Sequence, residues 1–201
     1  MDIAVIGWGS LIWCPGCLRL RSRWHLDGPR LPIEFARISR DGRLTLVIHD
    51  GSEEQKTLWA LSEFEDLAEA RANLKEREGC ADSRVHSLIR GKMETVSVGI
   101  QAKIRAWLEG MPDIEAAVWT ALSDNWRDKR SRDFTPDDAV AYLGELERSA
   151  QEAAQKLARA REYIRNAPSQ IQTEVRRRMS SNANWKDNEL SKTLFEDPPD
   201  R

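Results

Sequence analysis

Ile3-Ala4-Val5-Ile6-Gly7-Trp8-Gly9-Ser10-Leu11 is the stretch on which the reading of this chain turns. The short apolar run Ile3 to Ile6, closed by Gly7, predicts a buried strand. A glycine-containing loop follows at once. Gly7 and Gly9 let the backbone approach a ligand closely and aim N–H groups at it, as suits a carboxylate or carbonyl oxygen. An isolated G-x-G reads as a plain tight turn. A dinucleotide-binding reading fails, because Ile12 stands where the third glycine is needed and Cys14-Pro15-Gly16 interrupts any helix.

Working outward, Leu31 to Ser39 and Arg43 to Asp50 alternate apolar and polar residues, with Asp41-Gly42 between them as a hairpin turn. Lys56 to Leu61 reads as a further strand. A helix is expected from Ser62, with Ser62 and Glu65 as a capping box and Phe64, Leu67 and Leu74 on its inner face. Gly79 is its natural stop. Strands are expected at Arg84 to Arg90, Glu94 to Val98 and Ile114 to Leu122. Ile100, Ile104, Trp107 and Leu108 trace a second helix, ending at Gly110. Arg127 to Arg132 reads as a charged loop. Thr135 and Pro136 open a long helix whose apolar stripe runs to Ile164. Pro168 breaks it, and Ser169 with Gln172 caps another short helix. Strands with interspersed helices, an antiparallel hairpin and a helical end predict an α+β fold.

The bulk numbers exclude several classes. The 201 residues carry a formal net charge of −2, with 40% hydrophobic and 32% charged residues, so no global attraction for nucleic acid or an anionic surface exists. No apolar run approaches the ~20 residues that span a bilayer. Asp2 stands where an export signal carries positive charge, so a cytoplasmic location is expected. Cys14, Cys17 and Cys80 are an odd count, and the lone Cys14-x-x-Cys17 has no second ligand pair, so neither a disulfide framework nor a metal site is expected. Arg176-Arg177-Arg178 is basic but has no aromatic stacking platform, and reads as a solvated helix face rather than a nucleic-acid contact. Trp59, Trp107 and Trp119 read as core; Trp13, Trp24 and Trp126 fall in or near loops.

Two charged side chains stand out. Glu78 follows Leu74 by four residues, on the same apolar face and in the last helical turn. Burial and the negative end of the helix dipole there raise a carboxylate's pKa, as a general base requires. An exposed glutamate in the run Lys75-Glu76-Arg77-Glu78 is the competing reading. Arg37 shares a strand face with Ile33 and Phe35; it either meets a carboxylate inside or snorkels out to water.

Gly7-Trp8-Gly9-Ser10-Leu11 resembles the Tyr-Gly-Ser-Leu loop of the γ-glutamylcyclotransferase-like proteins. Leu74-Lys75-Glu76-Arg77-Glu78-Gly79 is similar to that family's helix end, where a Glu-Gly pair carries the catalytic carboxylate, and Lys56-Thr57-Leu58-Trp59-Ala60-Leu61 to the strand before it. The resemblance covers roughly residues 1–122. It implies a small mixed β-barrel flanked by helices, as a catalytic domain over 1–124; the chain beyond has no counterpart in the family, and its long helical stripe and the terminal Pro198-Pro199 read as a helical extension over 125–195 and a tail over 196–201. It implies cyclisation of a γ-glutamyl compound to 5-oxoproline and an amine, without cofactor or metal. Glu78 would move the protons, and the loop Gly7, Trp8, Gly9, Ser10 and Leu11 would hold the substrate; Arg37 joins the expected substrate-binding residues through its strand spacing and not through the resemblance. Trp8 replaces the family's tyrosine, and the stretch Asp82-Ser83-Arg84-Val85-His86 shortly after Glu78 holds no tyrosine; His86 there reads as a surface or strand histidine or, alternatively, as a polar substitute. The alternative is a non-catalytic binding or interaction module on the same fold, with the C-terminal helices as the surface for a protein partner.

Overall fold

The structure, a computed structural model, describes residues 1–92, 99–148 and 151–180. The expected strand Glu94 to Val98 and the expected tail lie outside them. The described residues form strands β1 (Ile3–Gly7), β2 (Arg30–Ile38), β3 (Leu44–Ile48), β4 (Glu54–Lys56), β5 (Leu58–Leu61), β6 (Val85–Ile89) and β7 (Ala116–Thr120). Helices are α1 (Leu67–Glu78), α2 (Ile100–Glu109), α3 (Trp126–Arg130), α4 (Pro136–Arg148), α5 (Gln151–Asn166) and α6 (Glu174–Met179). The fold is α+β, with two separate sheets and, among the described residues, no closed barrel. The chain divides into two compact units, and the division is not linear. Met1–Leu31 joins Lys56–Leu122, while Pro32–Gln55 joins the described residues from Ser123 onward.

The first unit holds the mixed sheet β5-β1-β7-β6. β1 lies inside it, antiparallel to β5 and parallel to β7. All five β1 residues are buried, as an apolar run without alternation requires. Ile3, Val5, Ala116, Val118 and Val85 pack with Ala70 and Leu74 of α1 and with Leu11 and Leu18. Full burial of Leu74 contributes about 1.5–3 kcal/mol. Trp59 and Trp119 are buried; Trp107 is half-buried and meets Trp59 edge to face at 5.8 Å.

Two boundaries in this unit differ from expectation. Lys56 to Leu61 is not one strand. At Thr57 the N–H and the hydroxyl both donate to the Pro29 carbonyl, at 3.1 and 2.7 Å, and the chain leaves one sheet for the other. Helix α1 begins at Leu67, not at Ser62. Ser62 is still engaged with the sheet, its N–H donating to the Ile3 carbonyl at 2.8 Å. The cap is instead Asp66, whose carboxylate accepts from Ala68 N (2.8 Å) and Glu69 N (3.0 Å). Gly79 closes the helix in the left-handed region at φ 57°, as expected.

The second unit carries the sheet β3-β2-β4 and the C-terminal helices. The stripe from Pro136 to Ile164 is two helices, not one. Arg161 Nη2 donates to Glu147 Oε1 at 2.9 Å, whereas fourteen residues of continuous helix would hold them about 21 Å apart. The expected loop at Arg127 to Arg132 contains helix α3 instead. Its Trp126 is fully buried, edge-on to Phe134 at 5.2 Å and to Tyr142 at 6.2 Å, and that burial overrides the polar composition around it. Helix α6 is capped by Thr173, whose hydroxyl accepts from Arg176 N at 3.2 Å, rather than by Ser169. Among the described residues no helix is long and apolar enough to cross a membrane.

The basic run at 176–178 is internally engaged. Arg176 is buried, with Nη1 donating to the carbonyls of Pro168 and Ile171 and Nη2 to those of Ile164 and Ala167, at 2.7–2.9 Å. It thereby satisfies carbonyls that the end of α5 and the following turn leave without helical partners. Arg177 pairs with Glu53 and Glu174, and Arg178 with Asp137 and Glu174. Replacing Arg176 by Met should cost about 3 kcal/mol, because several buried acceptors lose their donor together. Urea unfolding of Arg176→Met against wild type checks this, and a loss under ~1 kcal/mol would contradict the clamp.

Candidate functional site

The loop after β1 is anchored by its apolar members. Trp8, Leu11 and Ile12 are buried, while Ser10 is half-buried. Ile12 N donates to Gly9 O at 3.1 Å and Cys14 N to Ser10 O at 2.9 Å, folding residues 9–14 into successive turns. The amides of Trp8, Gly9, Ser10 and Leu11 donate to no acceptor among the described residues. Four adjacent donors without acceptors are what an oxygen-rich group needs. The loop is not an alternating right- and left-handed nest, since the glycines with positive φ lie elsewhere. Gly7 is required for a different reason. A Cβ there would stand 2.8 Å from Cη2 of Trp24, so the indole ring lies directly on the backbone at the mouth of the loop.

Glu78 ends α1, with only 15% of its side chain exposed. No hydrogen bond reaches its carboxylate among the described residues. Burial pushes its pKa above the ordinary carboxylate range, and the Arg77 guanidinium offsets part of that rise. Cys80, in the turn beyond the helix, is pushed up by burial and by the Glu78 charge. The expected buried carboxylate is therefore present, and the exposed alternative is not.

What joins helix end to loop is Arg77, which the sequence reading passed over as part of a charge run. Its Nη2 donates to Ser10 Oγ at 3.2 Å and to the Cys14 carbonyl at 2.7 Å. Its Nη1 lies 3.5 Å from Glu78 Oε1. Nε is buried without a partner among the described residues, and Gly16 lies over it, leaving 3.6 Å to where a Cβ would stand. Asn73, one turn back along α1, donates to the Cys17 carbonyl at 2.9 Å and accepts from Arg19 N at 2.9 Å. Helix α1 thus grips the segment from Ser10 to Arg19 by two side chains. The only sequence signal for Arg77 was its place beside Glu78.

A carboxylate with a raised pKa is a stronger base than an ordinary one, and unengaged amides stabilise a developing negative oxygen. Both capacities occur here, one guanidinium apart. No group of three or more metal-ligating side chains occurs among the described residues, and Cys14 and Cys17 are exposed free thiols. His86 stacks on Trp119 with ring centroids 5.8 Å apart, and its pKa is lowered by burial first and then by Arg71.

Arg37 belongs to the second unit. Its Nη1 donates to the Ser123 carbonyl at 2.7 Å, so it neither meets a carboxylate nor simply snorkels to water. The shared face with Ile33 and Phe35 fails because β2 bulges. Between Glu34 and Arg37 it advances three residues while β3 advances two, which inverts the side-chain phase. The same unit holds a cavity of about 390 Å³ lined by Glu34, His49, Asp50, Phe134 and Glu174 among others. Glu34, buried there, accepts from Phe35 N (2.8 Å) and Glu174 N (3.0 Å), and so holds the start of α6. Its pKa is raised by burial, against the pull of those bonds. Unlike Glu78, it is a carboxylate already committed to the fold. No protein-family model, no curated protein and no solved structure matches this chain.

Proposed function

We propose that the protein cyclises a γ-glutamyl compound, releasing 5-oxoproline and an amine. The observation that carries this reading is a buried carboxylate without a hydrogen-bond donor, joined through one guanidinium to a loop of unengaged amides. Cyclisation needs little else. The substrate's own α-amine attacks its γ-carbonyl carbon, forming the ring C–N bond, and the bond to the leaving amine then breaks. Glu78 takes a proton from the attacking nitrogen and returns one to the departing nitrogen. The amides of residues 8–11 hold the negative oxygen formed between the two steps. The small mixed barrel of the γ-glutamylcyclotransferase-like proteins belongs to the same proposal. Its support is the order of loop, strand and Glu-Gly helix end along the first unit.

Incubation with a panel of γ-glutamyl amines and γ-glutamyl dipeptides should yield 5-oxoproline, detected by mass spectrometry. Glu78→Gln should lower kcat/KM by about a hundredfold or more. Binding of the panel without turnover, unaffected by Glu78→Gln, would instead establish the non-catalytic module.

Glu78 must be ionised to accept a proton. The acidic limb of the pH–kcat/KM profile should therefore lie above the usual carboxylate range, in the direction burial imposes. A limb near pH 4 would contradict this assignment.

The same shift has a stability consequence. A carboxyl whose folded pKa exceeds its unfolded one contributes stability below the unfolded pKa, and that contribution disappears as pH rises through the folded pKa. At pH 7 Glu78→Gln should accordingly unfold at a higher temperature than wild type, and the advantage should vanish toward pH 4 in calorimetry.

A further inference from the structure

We infer that Arg77 is a positioning residue of this site, fixing the 8–11 loop and the Glu78 carboxylate relative to each other through one guanidinium. The inference rests on the cyclisation reading for its chemistry, although its geometry stands by itself. Neighbouring residues on a helix point about 100° apart, so a contact between them is not the default. Here Arg77 Nη1 and Glu78 Oε1 approach to 3.5 Å, and both side chains are only 15% exposed. The other terminal nitrogen faces the opposite way chemically: Nη2 meets two acceptors on the loop, Ser10 Oγ at 3.2 Å and the Cys14 carbonyl at 2.7 Å. A planar fork can serve both sides at once, and the point charge of a lysine cannot. With Nη2 drawing on Ser10 Oγ and the Cys14 carbonyl, the loop is held from its acceptor side. The amide donors of Trp8 to Leu11 remain unengaged among the described residues. The charged and titratable groups around Glu78 are Arg77 on its own helix and the Cys80 thiol in the following turn, with Lys75 and Arg84 acting on that thiol. Ser10, the loop's contribution to this junction, is neutral.

The test uses the full chain with 13C-labelled glutamate, as wild type, Arg77→Gln and Arg77→Lys. The Glu78 carboxyl resonance is assigned by its absence in Glu78→Gln. In Arg77→Gln the Glu78 titration midpoint should rise by about one pH unit, because the guanidinium charge that offsets its burial is gone. Hydrogen exchange of the Ile12 and Cys14 amides, which close the turns over residues 9–14, should quicken about tenfold as the loop loses its tether. Arg77→Lys should keep the midpoint near wild type yet show the faster exchange, separating charge from geometry. If wild type produces 5-oxoproline, the acidic limb of kcat/KM should move with the NMR midpoint, and kcat should fall more than KM changes. If wild type produces none, the cyclisation reading fails while titration and exchange still decide the role of Arg77. A folded Arg77→Gln whose midpoint and exchange both match wild type overturns the inference. Should Arg77→Gln not fold, unchanged exchange in Arg77→Lys does so.

Discussion

Keeping the Glu78 carboxylate out of water is the constraint around which the first unit is arranged. An ionised carboxyl taken from solvent without hydrogen-bond donors costs several kcal/mol unless charge nearby offsets it. The protein provides one guanidinium at 3.5 Å and no donor among the described residues, so the offset is partial. The strain persists because α1 is fixed by other means. Leu74 and Ala70 bury its inner face, Asp66 caps its start, and Gly79 ends it in a conformation open to few other residues. A helix held this firmly can carry an unfavourable group at its end without fraying to relieve it.

The second unit resolves its charges in the opposite manner. Glu34 is buried more deeply than Glu78, yet its oxygens are committed to the first amides of α6. Arg176 spends its guanidinium on four carbonyls, and Arg177 and Arg178 find carboxylates on neighbouring segments. Two buried glutamates with pKa values displaced the same way thus play different parts. One is satisfied by the fold and holds a helix start; the other has no hydrogen-bond donor among the described residues.

Local signals were legible where one element sufficed to set them. The unbroken apolar run of β1, the Asp41-Gly42 turn with Gly42 at φ 81° and the Gly79 stop each depend on a few neighbouring residues. Burial of Glu78 was legible because Leu74 fixes the helix face. Features that depend on distant partners were not. The single stripe from Pro136 to Ile164 has helical spacing throughout, and nothing in that spacing says where the chain folds back. Arg37 was misplaced because a bulge shifts phase without leaving a glycine or proline to announce it. Arg77 was overlooked because a guanidinium among alternating charges resembles a solvated face until its acceptors on the loop are known. The polar run after Asn125 concealed Trp126, whose two aromatic neighbours lie further along the chain.

The interleaved division of the chain has a consequence for its dissection. The polypeptide passes from one unit to the other three times, after Leu31, after Gln55 and after Leu122. No single scission can therefore separate the two. A fragment ending near residue 122 would keep the 32–55 hairpin but lose the helices that cover it, leaving Phe35 without the Tyr163 ring that meets it edge-on at 6.3 Å. The excised C-terminal piece would equally lack its sheet. Only excising the hairpin and rejoining the chain across its base, or supplying it in trans, would yield self-contained halves.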